Sequence, residues 1–104
     1  MRGYADFDLT SDQKFFIKKE IGRKCEYCEK SRVYRNLQLH HINPQRKTGR
    51  NDYGNLIVLC ENTLEECHDL ADHDYILKKE LRDIISRRPK RVKSKIIEIL
   101  KNIY

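Results

Sequence analysis

The stretch that decides the reading is Cys25-Glu26-Tyr27-Cys28, then Leu39-His40-His41-Ile42-Asn43-Pro44, then Asn55-Leu56-Ile57-Val58-Leu59-Cys60, and finally Cys67-His68. Two kinds of metal-binding side chain are interleaved in it. Four thiolates suit a closed tetrahedral shell that contributes to folding, whereas imidazoles suit a site with open positions. In this order the cysteines can hold one ion for structure and leave histidines for chemistry.

The rest of the chain sets bounds on that reading. At 104 residues, one domain with a modest core is expected, and a chain of this size gains from a staple. Hydrophobic residues make up 38% and charged residues 37%, there is no Trp, and the mean hydropathy is -0.83. That is the composition of a polar globule. The longest apolar run, Leu56 to Cys60, is far too short to cross a bilayer. Met1-Arg2-Gly3-Tyr4-Ala5-Asp6 does not resemble a secretory signal. An intracellular, cytoplasmic location is therefore expected, where closely spaced cysteines serve as metal ligands rather than disulfides.

The net charge of +6 is unevenly spread. Residues 1 to 59 carry 12 Lys or Arg against 7 acids, residues 60 to 77 carry none against 6, and residues 78 to 104 carry 10 against 3. Basic surface is the footprint of a phosphate-backbone partner. The acidic island of Glu61, Glu65, Glu66, Asp69, Asp72 and Asp74 would repel such a partner unless a cation sits there. Read from charge alone, it is a solvated helix face.

Local signals give the order of elements. Thr10-Ser11-Asp12-Gln13 has the form of a capping box, and Gly22 is a stop, so a first helix is expected between them. Cys25 to Cys28 forms a tight knuckle. Arg32 to Ile42 alternates in strand fashion around a break at Arg35-Asn36, which predicts a hairpin. Asn43 to Gly54, with Pro44, Gly49 and Gly54, is loop, and Leu56 to Leu59 is a short buried strand. Thr63 to Glu66 forms a second capping box, after which Leu70, Leu77, Leu81, Ile84 and Ile85 predict a long helix up to Pro89. Val92, Ile96, Ile99, Leu100 and Ile103 trace a final amphipathic helix. The fold class expected is a small α+β domain with a ββα centre. It occupies residues 1 to 104, with a motif core over 25 to 73 and helical flanks over 10 to 22 and 75 to 104.

Cys25, Cys28, Cys60 and Cys67 are expected to share a structural Zn²⁺; the alternative for Cys60 is a buried thiol at a strand end. His40 and His41 follow one another at the end of a strand, where consecutive side chains point to opposite sides. One can grip a metal while its neighbour faces a substrate. His68 follows Cys67 directly, so the ion that anchors Cys67 also fixes where His68 points.

These residues, in this order, resemble the HNH nucleases, in the subgroup whose ββα-metal core is buttressed by a cysteine zinc site. The resemblance covers residues 25 to 73 and implies a metal-dependent DNA endonuclease, leaving 5′-phosphate and 3′-hydroxyl ends. It implies His41 as general base, His40 and His68 as ligands of the catalytic divalent ion, and Asn55 as the residue that braces the loop. The chain departs from the subgroup between Cys60 and Cys67, where six residues replace the usual two. The third metal ligand stays open: Asp72 lies nearly above His68 on a regular helix, His73 offers imidazole, and water is a further option.

Hydrolysis of a phosphodiester needs an activated water and a cation that absorbs charge in the transition state. An imidazole, with a reference pKa of about 6.5, is suited to the first task. Mg²⁺, Mn²⁺, Ni²⁺ and Zn²⁺ all suit the second. Arg46, Lys47 and Arg50, in the loop between His41 and Asn55, and Arg87, Arg88, Lys90 and Arg91 are the expected phosphate contacts. The partner is then DNA, with a homodimer or a larger nuclease assembly open. The competing reading is a zinc-ribbon-like nucleic-acid binding module without catalysis.

Overall fold

A computed structural model of the chain describes residues 9–43 and 52–101. Helix α1 (Ser11–Ile21) begins as the sequence predicts. The Gln13 N–H donates to Thr10 Oγ1 at 3.1 Å, and the Thr10 N–H donates to Gln13 Oε1 at 2.9 Å, so two of the free donors of the first turn are satisfied reciprocally. The helix stops at Gly22, whose φ of 103° lies in the left-handed region that a residue without Cβ adopts at little cost. After it the chain folds into the cysteine knuckle, closed by the Cys25 N–H on the Lys30 carbonyl at 3.1 Å and the Glu29 N–H on the Cys25 carbonyl at 2.9 Å.

The hairpin expected around Arg35-Asn36 does not form. Tyr34–Asn36 is a single 3-10 turn, and strand β1 (Leu37–His41) pairs instead with strand β2 (Leu56–Cys60), antiparallel, fourteen residues further along the chain. Burial explains the choice. All five residues of β2 are buried, so it offers apolar surface on both faces to Leu37 and Leu39, whereas Val33 is left half exposed. The register sets Leu37 opposite Cys60, Leu39 opposite Val58, His40 opposite Ile57 and His41 opposite Leu56.

The long helix predicted up to Pro89 is two helices, α2 (Cys67–Asp72) and α3 (Lys78–Ser86). Asp74 sits at φ 59°, and the N–H groups of Tyr75 and Ile76 both turn back to the Leu70 carbonyl, at 2.8 and 3.3 Å. The break lets Ile76 bury. A new start follows at Leu77, whose N–H donates to Glu80 Oε2 at 2.9 Å. The second capping box also differs from expectation. The Glu66 N–H does donate to Thr63 Oγ1 at 3.2 Å, but the bond closes a turn ahead of α2, with Asn62 and Glu66 both at positive φ. Helix α4 (Lys90–Lys101) is the amphipathic helix foreseen, burying Ile96 and Ile99.

Helix α1 packs on β1 and α4, α2 packs on β2, and α3 and α4 pack on the turn Tyr53–Asn55. One continuous core joins Ile17, Leu37, β2, Leu81, Ile85, Ile96 and Ile99. The buried Gln13 side chain ties α1 to α4 by donating from Nε2 to the Ile99 carbonyl at 3.1 Å. Among the described residues no helix is long and apolar enough to cross a membrane.

One charged pair is embedded in this packing. Arg88 grips Glu26 with two bonds, Nε to Oε1 at 2.8 Å and an Nη2 to Oε2 at 2.7 Å, with the two side chains only 5% and 6% exposed. The same guanidinium donates to the Leu56 carbonyl at 2.9 Å and lies over the Tyr53 ring, while Glu26 accepts from the Val58 N–H at 2.8 Å. The pair therefore clamps the knuckle, β2 and the α3–α4 junction together. Removing one member leaves the other charge buried and unpaired. Arg88→Met should cost about 3–5 kcal/mol in chemical denaturation, and adding Glu26→Gln should recover part of that loss.

Candidate active site and metal centres

The knuckle, the end of β2 and the start of α2 bring the four cysteines together. Sulfur atoms of Cys25, Cys28, Cys60 and Cys67 all lie within 4.8 Å of one another, and Cys28 Sγ is 4.0 Å from Cys60 Sγ. Two ligands about 2.3 Å from a tetrahedral ion are about 3.8 Å apart, so this spacing is that of a metal shell. The four cysteines are free of disulfides. Burial pushes the Cys25 and Cys67 thiols up, as does the crowding of neighbouring sulfur. At Cys60 burial acts in the same direction, but hydrogen bonds from the Thr63 hydroxyl, at 3.1 Å, and from Cys67 bring the thiol below its usual range. A cluster of buried thiols that oppose one another's ionisation suits a cation that takes them all as thiolates.

The six residues between Cys60 and Cys67 fold as a stapled turn. The Glu61 N–H donates to the Asn36 carbonyl at 2.9 Å, and the Asn62 N–H donates to Glu66 Oε1 at 3.0 Å. Glu65 pairs with both Lys30 and Arg32, tying the turn to the knuckle. The longer spacer thus reaches the thiol cluster with backbone bonds at both its ends, and α2 starts from Cys67.

A second cluster lies beside the first, with His68 directly after Cys67 on α2. His40 on β1 and His68 and Asp72 on α2 offer ligand atoms that all lie within 4.8 Å of one another. Asp72 Oδ1 is 3.6 Å from His40 Nδ1, Asp72 Oδ2 is 3.9 Å from His68 Nδ1, and the two imidazole rings meet edge to face at 5.2 Å. The α-helical spacing of four residues is what stacks Asp72 over His68. Glu61 stands beside this triad, with Oε1 3.6 Å from His68 Nδ1. Sequence reasoning passed over Glu61; the signal available was its place directly after the last strand residue, in an acidic island with no cation of its own.

His73 turns elsewhere. It is 64% exposed, and its Nδ1 is 2.9 Å from the Asp69 carbonyl, a hydrogen bond that raises its pKa together with the nearby Asp69 carboxylate. Of the two candidates for a third ligand, Asp72 is the one that faces His40 and His68.

Burial, reinforced by the neighbouring His68, lowers the His40 pKa to about 4. His40 is thus a neutral imidazole near pH 7, the form that binds metal. Next to it, His41 is half-buried at the end of β1. Adjacent strand residues project to opposite faces, so His40 and His41 leave the strand on different sides. Immediately beyond, the buried Asn55 side chain holds the chain from both directions: the Asn43 N–H donates to its Oδ1 at 2.8 Å, and its Nδ2 donates to the Asn43 carbonyl at 3.1 Å. The Ile42 N–H adds a bond to the Asn55 carbonyl at 2.9 Å.

The basic residues divide. Arg88 is enclosed in the pair with Glu26 and is corrected here from a phosphate contact to a structural residue. Arg87, Lys90 and Arg91 are exposed. Arg87, with Lys24, Tyr27 and Val92, lines a groove of about 570 Å³ between the knuckle and the α3–α4 junction. Arg46, Lys47 and Arg50 lie outside the described residues.

Two antiparallel strands followed by a helix, with a thiol shell at one end and a histidine–carboxylate cluster on the strand–helix face, define a small ββα-metal protein. Residues 25–73 match the family model of the HNH endonucleases. The matched segment contains both clusters, His41 and Asn55, and it brings a nuclease-like, metal-dependent function with it. No curated protein and no solved structure matches the chain.

The lowered His40 pKa has a measurable consequence. The unfolded chain protonates His40 at about 6.5, and the folded one only near 4. Stability from this group is therefore present above pH 6.5 and is lost as pH falls toward 4, because there the unfolded state binds the extra proton. Imidazole NMR of protein with the thiol shell filled and no second ion should place the His40 titration near 4, well below that of a surface histidine.

Proposed function

We propose that the protein is a metal-dependent DNA endonuclease, with zinc in the shell of Cys25, Cys28, Cys60 and Cys67 and a second divalent ion on His40, His68 and Asp72. The observation that carries this reading is the adjacency of His40 and His41: the first faces an imidazole and a carboxylate at ligand spacing, and the second leaves the strand on the other side. A binding module has no use for that pairing.

The residues divide the work as follows. When bound, the divalent ion supplies charge to stabilise the scissile phosphate and the departing oxygen. His41 takes the proton from the attacking water, a task suited to an imidazole near neutral pH. Asn55, by holding both polar groups of the Asn43 backbone, fixes the chain just after His41 and so aims its ring. His40, neutral and 8% exposed, keeps its lone pair for the metal, while Asp72, 54% exposed, borders solvent, where phosphate and water approach. Arg87, Lys90 and Arg91 hold the DNA backbone, and Arg46, Lys47 and Arg50 flank the scissile phosphate. Such contacts give affinity without sequence information.

Supercoiled-plasmid cleavage tests this reading. Protein with its thiol-bound zinc retained is given Mg²⁺, Mn²⁺, Ni²⁺ or Zn²⁺ in turn, beside a folded His41→Ala variant. The parent should nick or linearise plasmid with at least one ion, and the variant should be slower by about 10²–10⁴-fold. Parent and variant that both bind plasmid and cut with no ion would establish a binding module instead. Metal analysis after mild chelation should leave one zinc per chain, and Cys67→Ser should lose that zinc and unfold at lower denaturant.

A further inference from the structure

The stapled turn between Cys60 and Cys67 does more than close the thiol shell. Its first residue, Glu61, follows the last residue of β2, and its backbone is fixed by the bond from its N–H to the Asn36 carbonyl. Its side chain is thereby carried to the edge of the His40–His68–Asp72 cluster, where Oε1 comes within 3.6 Å of His68 Nδ1. Asp72 Oδ2 approaches the same ring nitrogen, at 3.9 Å.

The length of these approaches decides their meaning. At 3.6 to 3.9 Å they are too long for hydrogen bonds. Two ligands each about 2.1 Å from a common ion stand about 3.0–3.4 Å apart, so the separations are near those of neighbouring corners of a coordination polyhedron. A carboxylate that orients a metal-bound histidine from behind bonds the ring nitrogen remote from the metal. Glu61 instead approaches the nitrogen that Asp72 approaches, on the metal side. It lies outside the mutual 4.8 Å spacing that joins His40, His68 and Asp72, but its carboxylate is one-third exposed and its side chain is long enough to close that gap.

We propose that Glu61 is a fourth protein ligand of the divalent ion, making the site one of two imidazoles and two carboxylates. The inference rests on the reading of His40, His68 and Asp72 as a metal site. Two carboxylates neutralise a dication and shift the donor set toward oxygen, the chemistry of Mn²⁺ and Mg²⁺ rather than of softer ions. The acidic island then has a function at its two inner members, Glu61 and Asp72, while its other members serve the turn and the helix surface.

Mn²⁺ titration followed by calorimetry and by the loss of free-ion paramagnetic resonance tests this without any nuclease assay. Protein with the thiol site filled is compared with Glu61→Gln, which keeps shape and removes charge, and with Asp69→Asn, which removes the same charge from an exposed neighbour on α2. The parent should bind one Mn²⁺, Glu61→Gln should bind it at least tenfold more weakly, and Asp69→Asn should stay within about twofold of the parent. Glu61→Gln with parental affinity, or Asp69→Asn weakened equally, overturns the ligand role of Glu61 alone. A parent that takes up no Mn²⁺ overturns the metal reading of the histidine cluster and the inference with it.

Discussion

The pairing of β1 with β2 is the constraint on which the rest of this structure depends. Side chains alternate along a strand, so a slip of one residue in register would exchange the faces on which His40 and His41 emerge. His40 would then point away from α2 and His41 toward it. The pairing is held in place by burial rather than by a tight turn, since residues 42–55 separate the two strands in the chain. Leu37 and Leu39 of β1 and every residue of β2 are buried, and a slip would expose the first pair while driving the exposed Gln38 inward. Hydrophobic burial therefore sets the chemistry of the site through parity.

Both clusters draw on α2, which supplies Cys67 to one and His68 and Asp72 to the other. Cys60 ends β2 and Cys67 begins α2, while His68 and Asp72 follow on α2 and Glu61 follows on the chain after β2. A cation in the thiol shell fixes the start of α2 against the end of β2, and His68, one residue later, inherits that placement. The Arg88–Glu26 clamp acts from the other side of the knuckle, bonding both β2 and the junction of α3 with α4. Charge buried at this depth stabilises little on balance, but the two bonds of the pair form only in one arrangement, and that specificity is what a site assembled from three distant segments requires.

Much of this was legible in the sequence because the signals were local or stoichiometric. A capping box and a left-handed glycine delimit α1, an unbroken apolar run marks a strand buried on both faces, and four cysteines, one of them followed directly by a histidine, mark the thiol shell and its neighbour. What was not legible depended on tertiary competition. Alternation over residues 32 to 42 is compatible with a hairpin, and only the presence of a more apolar partner at Leu56–Cys60 diverts β1 to it. Helical period from Leu70 to Ile85 runs unbroken on paper, whereas burial of Ile76 requires the chain to leave the helix after Asp72. Arg88 sits in a run of basic residues and reads as one of them; its removal from the surface depends on Glu26, far away in sequence.

The acidic island shows how sequence charge becomes legible once geometry assigns each member a partner. Glu65 turns to Lys30 and Arg32 and closes the spacer over the knuckle, Asp69 turns to His73, and Glu66 accepts the Asn62 N–H. Asp74 lies in the turn after α2 at φ 59°, and of the remaining two, Glu61 and Asp72, both face imidazole nitrogen. In a protein that binds a polyanion, carboxylates at the reaction centre oppose the substrate unless a cation is present between them. A dication on two carboxylates is neutralised yet still offers open coordination positions to phosphate oxygen. On the proposed nuclease reading, the same residues that would repel DNA in the absence of a cation make its approach depend on the ion.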